Sequence, residues 1–494
     1  MTAVRFPADG AAARRLVAVG WAALASLLGL LLATQPLPVA LSLIVLAASA
    51  VLALITPLAA LVALLILAPL RTLIATESAV QLPLDIGQLA LLAFVAFLML
   101  ERLKRRVPIL PPHGTPLYIP LLGFVAAGAL SAFGAVSLGA WLNEWLKWLE
   151  ILVLVAAVLA LGQAGRWRWI VFGLTVAALA NAVIGIYEYF GGSGADHLII
   201  NLRYFRAFGT FGQPNPFGGF MGLVAPLALM TCAAYAVEAW RALRERQSAA
   251  APLAAMLFYA AASALIVAGV YLSWSRGAWL AFGASMVVIL FALPRRLWQS
   301  LVLLAVVGTA VGALWLSGRL PASIVDRVSS ATQELFAFDD VRGVDISPEN
   351  YAVVERLAHW QAALNMIRAR PLLGVGLGNY EVAYENYRLI NWKFPLGHAH
   401  NSYLNVFAEA GMIGLISYAA LWLSVVYFTW RARRHPSNFA RMTVLGLLGT
   451  WTYLTVHSLT DNLYVNNLFL HIGVMLGILA LLHKEARETK RLRT

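Results

Sequence analysis

The chain has 494 residues, 61% of them hydrophobic and only 12% charged, with a formal net charge of +13. Soluble domains carry about 25% charged residues, so this composition excludes a soluble globular protein and indicates an integral membrane protein. The positive excess does not call for nucleic acid, and none is expected as a partner: most of the 36 Lys and Arg fall in short connections between apolar runs, where the positive-inside rule puts them.

In chain order, apolar runs long enough to cross about 30 Å of hydrocarbon lie near 16–33, 38–54, 57–70, 84–100, 117–134, 145–161, 168–190, 216–238, 252–273, 277–293, 297–316, 401–430, 440–459 and 465–483. These fourteen become twelve if 38–70 forms a shallow hairpin, because the run after Pro57 is short. The N-terminus has arginines but no short apolar segment ending in a small-residue cleavage site, so Leu16–Ala33 is expected to be a retained first span. The single cysteine, Cys232, lies in an apolar run and excludes an intrachain disulfide. With the N-terminus inside and spans alternating, the basic clusters around Arg102, Arg166, Arg241, Arg295, Arg431 and the C-terminal tail all fall on the inner side. Both termini are then cytoplasmic.

The outer side holds the unusual sequence. The only long hydrophilic segment divides the chain into spans over 1–316, an outer loop domain over 317–400, and the last three spans with a tail over 401–494. A connection of that length in a compact protein is functional more often than idle. Within it, Ser347-Pro348-Glu349-Asn350 is a good helix start. Tyr351 to Arg370 follows with apolar residues at helical spacing, and Pro371 stops it. Gly374-Val-Gly-Leu-Gly-Asn379 then turns the chain before a second short helix, expected over Tyr380–Leu389. Another outer loop, about 191–215, is rich in glycine, proline and amides, which suggests irregular backbone lining a cavity.

Several side chains on that side have two readings. Arg276, in the Ser273-Trp-Ser-Arg276-Gly277 turn between two apolar runs, either snorkels to headgroups or forks onto a phosphate. Arg206 and Arg203 face the same choice with less context. Arg356 and His359 on the loop helix fit a solvated face as well as a site. The pair His398-Ala-His400 leads directly into Asn401 and an apolar helix, in a stretch that runs on to Asn405, Gly411 and Gly414. It could ligate a metal, but no HExxH helix and no second cysteine accompany it. A general base near neutral pH, or a simple anchor for the span, are the other readings. Gly374 to Asn379 is no phosphate loop, lacking a preceding strand and a following Lys-Ser/Thr. The pair Asp339-Asp340 reads as solvated.

His400-Asn401, then nine residues, Gly411, two residues and Gly414 resembles the signature of the O-antigen ligase and polymerase superfamily. Three further segments resemble the same family in the same order: Arg206-Ala-Phe-Gly-Thr-Phe-Gly-Gln-Pro-Asn215, Ser273-Trp-Ser-Arg276-Gly-Ala-Trp279, and Arg356 through Pro371-Leu-Leu-Gly-Val-Gly-Leu-Gly-Asn379. Together they cover roughly 200 to 420. The resemblance implies an all-α polytopic membrane protein of 12–14 spans with a glycosyltransferase-C-like fold and one large periplasmic loop containing helices. It implies transfer of a glycan from an undecaprenyl-diphosphate carrier to a lipid A core, to another lipid-linked glycan, or to a protein hydroxyl, on the outer face and among membrane lipids. No cofactor and no metal are implied. Arg276 and Arg356 would hold the diphosphate and His400 would act as base or position the acceptor. Arg206, Arg203, His398, Asn401 and Asn215 would contact diphosphate or glycan.

Two other classes compete. A lipid-linked oligosaccharide flippase without catalysis would be expected to show internal repeats and mid-membrane charges, whereas the polar motifs here gather on one side. A metal-dependent dolichyl-type transferase would carry an acidic pair in the first outer loop, where this chain offers only Glu77, with Asp85 just beyond.

Overall fold

A computed structural model describes residues 55–77, 85–108, 114–191, 194–200, 203–319, 340–346 and 350–491. The expected spans at 16–33 and 38–54, the helix start Ser347-Pro348-Glu349 and Asp339 lie outside the described residues. The remaining twelve apolar runs are all helical. In order they are α1 (Pro57–Leu67), α2 (Arg71–Glu77), α3 (Ile86–Lys104), α4 (Tyr118–Leu130), α5 (Leu138–Leu161), α6 (Trp167–Tyr189), α7 (Pro214–Arg244), α8 (Ala250–Leu272), α9 (Arg276–Ala292) and α10 (Leu297–Leu316). The series continues with α11 (Tyr351–Ala369), α12 (Tyr380–Ala383), α13 (Ser402–Ala432), α14 (Asn438–His457) and α15 (Leu468–Arg491). Among the described residues, eight helices are long and apolar enough to cross a membrane. The protein is an all-α polytopic membrane protein. Among the described residues the strands are Ile199–Ile200 and Tyr204–Phe205, a small antiparallel ladder in the outer loop with Ile199 opposite Phe205.

Burial sorts the helices. The apolar window of α15 is 89% buried and that of α10 only 6%, so α15 runs through the protein interior and α10 lies at its edge. In the middle, α7 packs against α8 and α14, α9 against α14, α15 against α5, and α13 against α4. Lipid tails are as apolar as leucine, so these contacts rest on close packing rather than on expulsion of water. The glycines of α7 permit it: at Gly222 a Cβ would overlap the Tyr453 ring of α14. Tyr453 in turn donates from its hydroxyl to the Gly218 carbonyl at 2.8 Å.

The loop helix α11 covers the residues its apolar spacing predicts. The second loop helix does not: α12 has four residues and passes into a 3-10 turn over Tyr384–Asn386. Other bonds replace the helical ones: the Asn365 amide of α11 donates to the Tyr387 carbonyl, and Arg388 reaches the Ile390 carbonyl two residues on. The long helix α13 is broken at Gly411, with φ +64° and ψ −165°. The break frees the carbonyls of Ala408 and Glu409, which accept the backbone N–H groups of Val375 at 3.0 Å and Gly376 at 2.8 Å. The Met412 N–H donates to the Pro371 carbonyl in exchange. Any Cβ at Gly411 would overlap the Leu372 backbone. The glycine-rich turn after α11 is therefore a structural plug in the kink of α13, and it fixes α11 over the start of that helix.

Candidate active site

Four segments meet at one end of the helices: the turn before α9, α11, the 396–401 turn before α13, and the 457–461 turn after α14. Ser402 N–H donates to the Ser458 carbonyl at 2.8 Å and the Ser402 hydroxyl to the Asp461 carbonyl at 3.0 Å, which ties the last two turns together. Gly277, in the first turn of α9, abuts Thr460 so closely that a Cβ there would overlap its hydroxyl. Arg276 is thereby brought beside the turn that carries Asp461.

The 396–401 turn is wound tightly. Leu396, Gly397 and His400 all have positive φ, +50°, +82° and +51°. A non-glycine residue in the left-handed region costs energy unless its surroundings hold it there. Here Asn405 accepts the Ala399 N–H at 3.0 Å. Asn401 caps α13, accepting from the N–H groups of Tyr403 and Leu404 at 3.0 Å while its amide donates to the Leu459 carbonyl at 3.2 Å. Asn401 therefore acts as a structural bracket, with both ends of its side chain occupied by backbone.

The imidazoles it presents converge on one acid. His398 Nε2 lies 3.6 Å and His400 Nδ1 3.5 Å from the same Asp461 oxygen. The two rings are 4.4 Å apart, and the His400 N–H donates to His398 Nδ1 at 3.1 Å, so His398 carries its neutral proton on Nε2, facing Asp461. Burial and the neighbouring His400 push His398 down to about 4, against an upward pull from Asp461. Burial pushes the Asp461 carboxyl up, but a hydrogen bond from His400 and the charges of His398, His400 and His457 outweigh it and hold the group below its ordinary range. Asp461 is thus an ionised carboxylate.

His359 joins from α11. It is buried, not on a solvated face: its ring stacks on Tyr384 at 4.9 Å and stands edge-on to His400 at 5.9 Å. Its Nδ1 is 2.9 Å from the Tyr380 hydroxyl, which donates to the His359 carbonyl. Burial pushes His359 down to about 3, and the charges of His400 and His398 add to the effect. One turn earlier on α11, half-buried Arg356 lies near enough to act electrostatically on His457 beside the acid.

The other arginines are placed differently. Arg206 donates from Nε to the Ser273 carbonyl at 3.1 Å, and from its terminal nitrogen toward the Asn215 amide oxygen and the Trp274 carbonyl. Arg206 and Asn215 thus hold the backbone turn that delivers Arg276. Arg203 is exposed, with its guanidinium 5.1 Å from the centre of the Tyr204 ring. Of the residues singled out in the sequence, His398, His400 and Arg356 share the neighbourhood of Asp461, Arg276 adjoins it, and Arg203, Arg206 and Asn215 belong to the outer loop around it. Asp461 itself escaped notice. The available signal was its position as a lone acid in the short connection between the last two apolar runs, on the His400 side by span alternation. His398, His400 and Asp461 also form a group able to hold a metal ion, with ligand atoms within 4.8 Å of one another.

Residues 261–419 match the family model described as O-antigen ligase. That region contains Arg276, Arg356, His398, His400, Asn401, Gly411 and Gly414, but neither Arg206 nor Asp461. A stretch of 182 residues, 36% of this chain, is 21% identical to an uncharacterized protein of Haemophilus influenzae, of which it covers 44%. The chain thus spans less than half the length of that curated relative. Through the region 261–419, and with the polytopic helical architecture around it, the chain is similar to the O-antigen ligase superfamily.

Proposed function

We propose that this protein transfers a glycan from an undecaprenyl-diphosphate carrier to an acceptor hydroxyl, with inversion and without a metal, at the outer face of the bacterial inner membrane. The acceptor is a lipid A core or a second lipid-linked glycan. The observation that carries the reading is the contact of His400 with a buried carboxylate, at the end of the bundle where the Arg276 turn packs on the next residue along.

The chemistry follows from that arrangement. Diphosphate is already a good leaving group, so the catalyst has chiefly to neutralise its charge and orient the acceptor. Arg276 and Arg356 supply fixed positive charge with forked donors suited to phosphate oxygens. With its Nδ1 toward Asp461, His400 leaves Nε2 to take the acceptor proton as the hydroxyl oxygen bonds to the anomeric carbon. The bond from that carbon to the diphosphate oxygen breaks and the carrier leaves with the electron pair. Asp461 stabilises the imidazolium that forms. The loop helix α11 covers the sugar, and the carrier's apolar tail enters between the spans.

A second reading has one observation in its favour. His398 Nε2, His400 Nδ1 and Asp461 would suit a divalent ion as three ligands with an open fourth position, which would then polarise the diphosphate. Transfer by the purified protein from a lipid-linked glycan, with each acceptor offered in turn and EDTA as a control, separates the two. Product formation that survives EDTA supports the metal-free reaction, and loss of product with recovery on added zinc or magnesium supports the ion. No product with any acceptor would sink both.

A further inference from the structure

We propose that the opposite end of the bundle carries a binding cavity for an acidic phospholipid headgroup with more than one phosphate. The straight part of α13, Met412 to Ala432, rises about 30 Å away from the histidine cluster. There a cavity of about 1030 Å³ opens between the ends of α9, α13 and α15 and the start of α14. It is lined by Arg295, Arg431, Arg433, Arg434, Arg441 and Arg487, and no carboxylate lines it among the described residues. Of the acids nearest in sequence, Glu485 lies 3.8 Å from His435, which is in the cavity wall, and Glu488 lies 3.8 Å from Lys484, so at most one carboxylate approaches the six arginines from the rim.

Two of these arginines are fixed in place before any ligand arrives. Arg433 lies over the Trp430 ring at 3.6 Å and donates to the Trp430 carbonyl at 3.1 Å. Burial and the neighbouring Arg434 and Arg441 push its pKa down. Arg441 donates to the Leu293 carbonyl at the end of α9. A cluster of like charges held together is unfavourable by itself, and something of opposite sign must offset it.

Helix ends do not suffice. Each C-terminus offers about half a negative charge, so α9, α13 and α15 offset only a fraction of six cations. The positive-inside rule accounts for arginines at one end of a membrane bundle, but not for their convergence on one acid-free hollow. Planar guanidinium forks match phosphate oxygens. Pockets of roughly 300–1,000 Å³ enclose whole small molecules, so this one has space for more than a single phosphate. A lipid source is favoured over a soluble one by the flank of the cavity. Exposed Leu297 and Trp298 follow Arg295 at the start of α10, the helix with the least buried surface, and an aromatic beside basic residues marks a headgroup-level boundary. The proposal stands independently of the transfer chemistry at the other end.

The test uses the full chain in phosphatidylcholine nanodiscs titrated with cardiolipin, which has two phosphates, and with phosphatidylglycerol, which has one. Free pyrophosphate serves as the soluble arm, and bound lipid is counted by native mass spectrometry. Cardiolipin is expected to bind most tightly, and the double variant Arg434→Gln/Arg487→Gln to weaken it about thirtyfold, given roughly one factor of five per basic residue. The charge-matched control Arg244→Gln/Arg296→Gln, outside the cavity, is expected to leave binding within twofold (about the noise of such a count). Equal losses in both double variants would reduce the effect to surface charge and overturn the proposal, as would pyrophosphate binding as tightly as cardiolipin. Should the cavity variant fail to fold, the lipid retained by the wild-type chain decides: enrichment of acidic lipid over the bulk membrane supports the site, and bulk composition overturns it.

Discussion

The two ends of the helical bundle treat charge in opposite ways. At the histidine end a single carboxylate, Asp461, balances His398 and His400, and Asn401, Asn405 and Ser402 pin the turns that carry them. At the arginine end six guanidinium groups share a hollow that no acid lines among the described residues. In the proposed reaction the groups that move a proton are the ones held beside a neutralising carboxylate and pinned by hydrogen-bonded turns. In the proposed lipid site the arginines have ring and carbonyl partners but few acids, and the bound phosphates complete the balance of charge. On the two proposals, the contrast is between a place suited to chemistry and a place suited to holding.

That contrast can be broken or sharpened by substitution. The largest effect is expected for His400→Ala, which should lower transfer about a thousandfold, within the range of general acid–base catalysis, in the purified lipid-linked glycan assay. Full activity in that variant would remove the imidazole from the mechanism. Asp461→Asn keeps the shape and removes the charge that orients and stabilises His400, and should cost about a hundredfold in turnover with binding of the donor retained. If donor binding falls instead and turnover of the bound donor holds, Asp461 belongs to the binding surface.

Gly411→Ala tests the plug rather than the chemistry. Left-handed backbone alone costs about 1–3 kcal/mol for a residue with a Cβ, and overlap with Leu372 adds to it, so the thermal midpoint of the solubilised protein should drop clearly. An unchanged midpoint would mean the kink is not held by residues 371–376. Acidification gives a smaller, graded change. His359 and His398 titrate at about 3 and about 4 in the folded protein against 6.5 ordinarily, so the unfolded chain binds more protons between those values. Stability from these groups is complete above pH 6.5 and is lost as the pH falls from 6.5 toward 4. A midpoint that stays level across that window would contradict the neutral, buried state of both rings. The smallest effect belongs to Arg203→Ala: an exposed arginine beside Tyr204 should change activity less than about twofold, and a large loss would return it to the donor site.

Part of the candidate site is legible in residue type. His400 and Arg276 stand out in the sequence because ionisable groups flanking long apolar runs are few, and each such group carries a desolvation cost that calls for a reason. The same logic misplaces His359 and does not foresee the partners of Arg206. His359 sits on a helix of mixed polarity, and only the stacking of Tyr384 and the bond to Tyr380 take it out of solvent. Arg206 has the chemistry of a phosphate ligand, yet carbonyls of the Ser273–Trp274 turn draw on its donors, and nothing local announces an acceptor 67 residues away. The short second loop helix was overextended for a similar reason: propensity favours α12 continuing past Ala383, and bonds from Asn365 and Arg388 end it.

What the sequence determined by itself is the polytopic helical class, the positions of twelve described helices, and the gathering of polar motifs between particular spans. These follow from hydropathy and length, which are properties of contiguous segments. The tertiary structure alone decided that Asp461 is the shared partner of two histidines, that Gly411 and Gly374 interlock, and that six arginines from four helix ends face one another. Each of those depends on which turns come together when helices pack, and packing joins residues by shape across hundreds of positions, where no periodicity in the chain records it.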